Sequence, residues 1–266
     1  MPVIPFDPTA VRVFDLERPR TATDPIAPGH QPPGYSYLLH RRHEGTGTRR
    51  TSAAGVVVTS EHAGTHIDAF CHQAEDLRCH GAREAADIQT AFGFRELGVE
   101  SIPPLVARGV LIDLVRHRGS VVEPNRWIRL GEIQEAASAQ GIEPRAGDVV
   151  LVRTGNGQLW SDPVNYLKGS GVEGRVSAWL AEVGVTAVGA DNVAWDLPDE
   201  IDPDLGENLP GHILLLVRSG IYILENLNLE DLGEAGVTEF GFVCLPLKLV
   251  GATGSPVRPV ALVSST

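Results

Sequence analysis

A thirteen-residue segment, SEHAGTHIDAFCH at positions 60–72, follows an apolar stretch, AAGVVVT, at positions 53–59. The apolar stretch is rich in β-branched residues, which predicts a buried strand. The segment that follows holds His62, His66 and His72 of the nine histidines in the chain, together with Asp68. This order of elements predicts a strand that is followed by a loop carrying metal-ligating side chains.

Neither a regular helix nor a straight strand would bring these side chains together. On a helix, His62 and His66 share a face, but Asp68 lies about 200° from His66. On a straight strand, His62 and His66 would be about 13 Å apart. Gly64 lies between the two histidines and can adopt the backbone angles that bend a strand end. We therefore expect a bent loop in which His62, His66 and Asp68 meet.

Two imidazoles and a carboxylate are a recurring ligand set for catalytic zinc and related divalent ions. The spacing is not that of the helical HExxH proteases, because Ala63 and Gly64 stand where the motif needs a glutamate base. An alternative is a loop at a strand end whose histidines only cap backbone groups.

Apolar β-branched runs alternate with helical patterns along the chain, and no linker divides it. Strands are predicted at residues 11–16, 35–40, 110–115, 149–154 and 186–190, with helices at 130–140 and 174–183. Residues 212–224 are largely apolar, and segments 240–250 and 257–263 predict a strand-rich tail. We expect one mixed α/β domain over residues 1–266.

The composition limits the classes of partner. The chain has 34 acidic and 22 basic residues and a net charge of −12, which argues against nucleic acid or an anionic membrane as partner. Three cysteines without CxxC spacing do not form a disulfide framework. The start lacks the pattern of a signal peptide, and no apolar run is long enough to span a membrane, so a cytoplasmic protein with a small-molecule substrate is expected. Only Lys168 and Lys248 accompany twenty arginines, and neither lysine has neighbours that suggest Schiff-base chemistry.

The stretch from His62 to Asp68, HAGTHID, together with His72 resembles the HxGTHxDxxxH signature of the cyclase, or kynurenine formamidase-like, family of metal-dependent hydrolases. That family includes arylformamidases, isatin hydrolases and a dienelactone hydrolase. The resemblance extends over residues 53–232 and includes TG at 154–155, GAD at 189–191, GH at 211–212 and ENL at 225–227.

The resemblance implies a fold, an assembly and a ligand set. The fold would be a swivelling β/β/α domain around a central mixed or barrel-like sheet, assembled as a homodimer or homotetramer. His62, His66 and Asp68 would hold one divalent ion, Zn²⁺ or Mn²⁺, and Asp68 would bridge to a second ion held by His212 and Glu225.

The implied activity is hydrolysis of a C–N or C–O bond in a small amide, lactam or lactone, cyclic or acyclic. Water activated by the metal would attack the carbonyl, with His72 as general acid and base. An arylformamidase acting on N-formylkynurenine and a non-catalytic metal-binding protein are the alternatives. Two departures weaken the formamidase assignment: the family's proline before His72 is missing from residues 69–71, and the aromatic substrate contact near the N-terminus has only Phe14, Tyr35 and Tyr37 as candidates.

Several other residues carry weaker signals. The acidic segment DLPDEIDPDLGE at 196–207 predicts a solvated loop, with a pocket rim as the alternative. Trp160 and Trp195 could belong to the core or form the wall of an aromatic pocket. Cys71 is predicted as a core residue, and His80 as a surface residue or a neighbour of the site.

Overall fold

A nine-stranded mixed sheet forms the centre of the protein in the computed structural model, which describes residues 10–30, 34–45, 47 and 49–265. Its strands are β1 (Val11–Asp15), β2 (His66–Asp68), β3 (Leu105–Asp113), β4 (Val149–Arg153), β5 (Ala187–Ala190), β6 (Tyr222–Glu225), β7 (Glu239–Cys244), β8 (Gly254–Pro256) and β9 (Val260–Ser264). The order across the sheet is β1-β9-β7-β3-β4-β5-β6-β2-β8. Strands β3 to β6 are parallel, and the outer pairs are antiparallel. The sheet is curled, and the predicted α/β class is confirmed.

Helices and short ribbons surround this sheet. The α-helices are α1 (Ala85–Ile88), α2 (Leu114–Arg118), α3 (Leu130–Ala139), α4 (Pro163–Tyr166), α5 (Gly174–Val183) and α6 (Glu230–Glu234). A π-helix spans His212–Ser219, and 3-10 helices span His80–Ala82, Val99–Ser101 and Asn156–Leu159. Two-stranded ribbons pair Tyr35–Arg41 with Ala54–Thr59, Arg78–Cys79 with Arg83–Glu84, Gln89–Thr90 with Gly93–Phe94, and Trp127–Ile128 with Gly171–Val172. None of the helices described here is long and apolar enough to cross a membrane.

The central strands are buried on both faces, as expected for parallel strands that are covered by further layers. In β4, Leu151 packs into the apolar cluster on one face, and Val150 packs into the cluster on the other. The second cluster also contains Ile133 of α3, Leu180 of α5 and Leu215 of the π-helix. Because successive side chains of β4 point to opposite faces of the sheet, this one strand contributes to two separate cores.

The predicted helices agree with α3 and α5 to within a residue, but several strand bounds differ. The strand predicted at 110–115 starts earlier, at Leu105, and ends at Asp113, whose side chain accepts a hydrogen bond from the Arg116 amide and caps α2. The segment 212–224 divides into the π-helix and β6, because Gly220 turns the chain with a φ of 67°. The strand at 240–250 ends at Cys244.

The apolar stretch before the histidine segment is not a buried strand, so that prediction is wrong. Residues 54–59 do form a strand, but it pairs only with Tyr35–Arg41 in a ribbon outside the central sheet. Val56, Val57 and Val58 are 50%, 55% and 50% exposed. The β-branched composition favours extended backbone, whereas burial depends on whether other elements cover the faces of the strand.

The short strand β2 carries His66 and Asp68 and lies between β6 and β8. Its register places Glu225 of β6 opposite His66, and Gly254 of β8 opposite Asp68. Residues far apart in the sequence therefore meet at this position of the sheet.

Candidate metal centre

The loop that precedes β2 bends at Gly64, as the spacing of the histidines predicts. Gly64 has a φ of 61°, in the left-handed region that favours glycine. A Cβ at this position would lie 2.8 Å from Nη1 of Arg20. The guanidinium of Arg20 donates hydrogen bonds to the carbonyl oxygens of Ala63 and Thr65, on either side of the glycine. Only glycine fits both the bend and the close approach of this guanidinium.

Asn226, the residue after β6, ties this loop to the neighbouring strand. Its side-chain amide donates to the carbonyl of Gly64 at 3.1 Å, and its own carbonyl accepts a hydrogen bond from Oγ1 of Thr65 at 2.8 Å. The buried hydroxyl of Tyr166 donates to Oδ1 of Asn226 at 2.7 Å. On the other side, Glu61 accepts hydrogen bonds from two backbone amides next to β8. The bend is therefore held from both flanking strands.

Asp68 lies at the centre of the cluster and is 1% exposed. Its Oδ1 is 2.9 Å from Nδ1 of His62 and 3.6 Å from Nε2 of His66. Its Oδ2 is 3.6 Å from Nε2 of His212. The carboxylate of Glu225 spans the same two imidazoles, with Oε2 at 3.5 Å from Nε2 of His66 and Oε1 at 3.4 Å from Nε2 of His212. The structure thus brings all five predicted ligands together.

Hydrogen bonds on the far side of each ring orient the histidines. Nδ1 of His66 lies 2.8 Å from the carbonyl of Gly64, which can only accept, so Nδ1 carries the proton and Nε2 is left with a lone pair toward the carboxylates. Nδ1 of His212 lies 2.8 Å from Oδ2 of Asp196. A carboxylate or carbonyl behind a histidine is the usual support of a metal-ligating imidazole.

His212 is placed by the first turn of the π-helix. Asp196 is fully buried and accepts hydrogen bonds from the amides of Gly211 and His212 as well as facing the His212 ring. One carboxylate thus fixes the start of the helix and the orientation of its first side chain.

The two sides of the cluster differ in electrostatics. Burial lowers the pKa of His66, and the charges of Glu225 and Asp68 only partly oppose this. Burial also acts against protonation of His212, but hydrogen bonds with Asp196 and Glu225 hold its pKa well above the usual value. For His62 the carboxylate of Asp68, with Oδ1 at 2.9 Å from Nδ1, likewise outweighs burial and raises the pKa. Asp68 stays ionised, because the surrounding imidazoles lower its pKa despite burial.

The unsatisfied atoms of Asp68 indicate that the cluster fits a divalent ion. Both carboxylate oxygens are buried and accept no hydrogen bond of normal geometry, although a buried carboxylate without partners is costly. Donors bound at about 2.0–2.2 Å in a tetrahedral site lie roughly 3.3–3.5 Å from one another. The separations of Asp68 and Glu225 from His66 and His212, 3.4–3.6 Å, agree with that spacing. The ligand atoms of His62, His66 and Asp68 all lie within 4.8 Å of one another.

His72, the predicted acid and base, lies beside the cluster. Its ring stacks on that of His62, with centroids 4.1 Å apart, and its ligand atom is within 4.8 Å of those of Asp68 and His212. Burial lowers its pKa well below the usual value, and the charges of nearby imidazoles add to this, while Asp68 opposes it. His72 also lines a cavity of about 560 Å³ that is shared with His66, His212 and Glu225. His72 therefore has access to a ligand bound in that cavity.

Some site residues were missed by sequence reasoning. His30, in the proline-rich loop, lines the same cavity and stacks on His62 with centroids 4.6 Å apart. The acidic segment 196–207 is not simply the solvated loop that its composition predicts: Asp196 and Asp202 are buried, whereas Asp199 is exposed and lines the cavity, as the alternative of a pocket rim expects. No local spacing marks Asp196, because its partner His212 lies 16 residues away. Lys168 also lines the cavity.

The remaining weak signals have structural explanations. Trp195 is fully buried and donates from Nε1 to Oγ of Ser177, so it belongs to the core. Trp160 is half-buried against Tyr166. Cys71 is buried in the core, as predicted, and burial raises the pKa of its thiol to about 12. His80 stands outside the cluster, with Nδ1 at 2.9 Å from the carbonyl of Val217.

Comparisons with known proteins find a matching family and several relatives. A model of the family described as "Putative cyclase" matches residues 6–197. The kynurenine formamidase of Bordetella pertussis is 28% identical over 253 residues, which is 94% of this chain and 97% of that protein. The kynurenine formamidase of Sphingopyxis alaskensis is 29% identical over 252 residues, with 94% and 97% coverage.

Solved structures share the fold. A crystal structure described as a novel cyclase superposes with a TM-score of 0.84 at 26% identity, over 94% of this chain and 86% of that one. Isatin hydrolase A from Ralstonia solanacearum superposes with a TM-score of 0.74 at 23% identity, over 96% and 93% of the two chains. At that level of identity, the second similarity is one of fold.

Proposed function

The chain belongs to the cyclase family and is a hydrolase, and we propose that it hydrolyses the C–N bond of a small amide with the help of one or two divalent ions. The observation that carries this proposal is the carboxylate of Asp68, which is buried among three imidazoles and accepts no hydrogen bond of normal geometry. A purely structural metal site would need no cavity beside it, whereas this cluster borders one of about 560 Å³.

His62, His66 and Asp68 would hold the first ion, and Asp68 with His212 and Glu225 the second. Imidazole and carboxylate donors suit both zinc and manganese, and we propose one of these two metals. When bound, such an ion polarises the amide carbonyl and lowers the pKa of water to about 7.

His72 would move the proton in this reaction. Its ring lines the cavity and is neutral at physiological pH, because burial and the neighbouring imidazoles disfavour its protonated form. A neutral imidazole can accept the proton of the attacking water and then deliver it to the leaving nitrogen, which would otherwise depart as a poor leaving group. His62 stacks on the ring and fixes its position.

We propose an aryl formamide as the preferred substrate, and a lactam such as isatin as the second candidate. The relatives that align over 94% of this chain are named kynurenine formamidases, which supports an acyclic N-formyl arylamine. Structural neighbours named isatin hydrolases motivate the lactam. The lining of the cavity includes Leu167, Val193 and Leu209, which suit the apolar body of either compound.

The test measures hydrolysis of formanilide, isatin and dihydrocoumarin by the protein loaded with Zn²⁺ or Mn²⁺. We expect hydrolysis of formanilide, its loss after treatment with a chelator, and its recovery when the ion is restored. Faster turnover of isatin than of formanilide would favour the lactam. Hydrolysis that survives complete removal of metal, or no hydrolysis of any of the three compounds with either ion, would overturn the proposal.

A further inference from the structure

We propose that Lys168 is a specificity-determining residue that binds a carboxylate group of the substrate, on a part of the cavity wall away from the amide that is cleaved. This inference rests on the proposed function and specifies the substrate class of the same site. The sequence suggested no role for Lys168, which lies in the loop after α4.

The charged side chains that line the cavity differ in number between the two signs. Among the described residues that line it, Lys168 is the only one with a permanently cationic side chain, while Glu225 and Asp199 are acidic. The chain as a whole has a net charge of −12. Away from the ions proposed at the metal centre, a carboxylate on the substrate would be disfavoured by this field unless a local cation compensates for it. Lys168 supplies such a cation next to the apolar side chain of Leu167.

The ammonium group of Lys168 is not engaged by a carboxylate within the described part of the chain. Its Nζ donates a long hydrogen bond of 3.4 Å to Oδ1 of Asn165, a neutral partner. Arg129, by contrast, pairs with Glu173 at 2.9 Å. A lysine without an ion pair keeps its charge available for a ligand, and its bond to a carboxylate would be charge-assisted.

The backbone of Lys168 is nevertheless fixed. Its amide donates to the carbonyl of Asn165 at 3.1 Å, and its carbonyl accepts a hydrogen bond from the amide of Asn125 at 2.8 Å. A fixed backbone limits how far the flexible side chain, which is exposed and lines the cavity, can move. The substrate that fits has an amide near His72, an apolar body against Leu167, and a carboxylate that reaches Lys168.

The kinetic test compares formanilide with 2-formamidobenzoate, which adds one carboxylate to the same arylamide. The measured quantity is the ratio of kcat/KM for the charged probe to that for the neutral probe. In Lys168→Met we expect this ratio to fall about tenfold, mainly through KM, because the lost contact is present before and during the reaction. Lys248→Met, in an exposed loop that does not line this cavity, should keep the wild-type ratio.

A binding measurement separates this inference from the proposed function. Isothermal titration of the metal-loaded protein with 2-aminobenzoate and with aniline reports the same contact without turnover. We expect Lys168→Met to weaken 2-aminobenzoate about tenfold more than aniline, and Asp199→Asn not to weaken it. Equal effects of Lys168→Met on both compounds, or an unchanged kinetic ratio, would overturn the role of Lys168 even if formanilide is hydrolysed. Absence of turnover with the expected difference in binding would overturn the proposed reaction alone.

Discussion

The candidate metal centre combines two regions of different origin. The donors of one region, His62, His66 and Asp68, lie within seven residues and depend on a single bend at Gly64. The donors of the other are His212, which comes from a π-helix whose start Asp196 fixes, and Glu225 of β6, which reaches the cluster through sheet register. A local bend leaves a signature in the sequence. A sheet register, which depends on how distant strands pair, leaves none.

The two regions also differ in the protonation of their histidines. In the first region, Asp68 raises the pKa of His62, but burial keeps the pKa of His66 low, so Nε2 of His66 is free to bind an ion. In the second, Asp196 and Glu225 raise the pKa of His212 and favour a proton at the position that an ion would occupy. An ion that binds in the second region must therefore displace a proton from His212, whereas an ion that binds to Nε2 of His66 need not.

The largest expected effect comes from the first region. His66→Ala removes a ligand from the first region. We expect loss of bound metal and a fall in kcat/KM of about 10³-fold or more, because a metal stabilises the transition state by several kcal/mol. Elemental analysis and hydrolysis of formanilide measure the two changes. His117→Ala, on the exposed side of α2, is the matched control and should change neither. Full metal occupancy in His66→Ala would refute its assignment as a ligand.

His72→Ala should separate chemistry from metal binding. We expect the metal content to remain while kcat falls by about 10²–10⁴-fold, the usual contribution of a general acid and base. His72 also lies within 4.8 Å of the donors of Asp68 and His212, so a parallel loss of metal would identify it as a ligand instead. Unchanged turnover at full occupancy would remove it from the mechanism.

Asp196→Asn tests the support of the second region. The amide keeps the size of the side chain but cannot stabilise the His212 ring as the carboxylate does, and we expect a loss of about 10–100-fold in metal affinity or activity. The loss should concern the second ion while the first stays bound. Asp204→Asn, an exposed acid in the same loop that pairs with Arg175, is the control. Equal behaviour of the two variants would show that Asp196 does not support a ligand.

The sequence permitted prediction of the local region and its bend because Gly64 and the histidines lie close together. His212 and Glu225 were reached only through the family resemblance, and Asp196 not at all, because its role depends on a contact across 16 residues of irregular chain. The same distinction explains an error in the fold. The segments 56–58 and β4 are both rich in valine, yet the valines of the first are half-exposed in a ribbon and those of β4 are fully buried, because apolar clusters cover both faces of β4.

Acidification should remove the ion of the second region first and the ion of the first region only at lower pH. The folded-state pKa of His212 is raised, so a proton competes with the ion at every pH below that value, and affinity should fall about tenfold per pH unit for each proton displaced. The pKa of His62 is raised less strongly and that of His66 is lowered, so the first ion should persist to lower pH. Metal content after dialysis should show two steps in the wild type and only the lower-pH step in Glu225→Gln. A single shared step in the wild type would remove the distinction between the regions.

The smallest effect isolates the bend itself. Gly64→Ala places a side chain on a residue with a φ of 61°, which costs about 1–2 kcal/mol of folding free energy. Gly119→Ala, at the end of α2 with a φ of 74° and open space around its Cα, carries the same backbone cost and is a matched control. Thermal denaturation should therefore show this backbone loss in both variants, and a larger total loss in Gly64→Ala, where the methyl group also meets Arg20. Only Gly64→Ala should also weaken metal binding, because its methyl group displaces Arg20, whose guanidinium holds the carbonyls on either side of the bend. If both variants bind metal as the wild type does, the positions of His62 and His66 do not depend on a glycine at this bend.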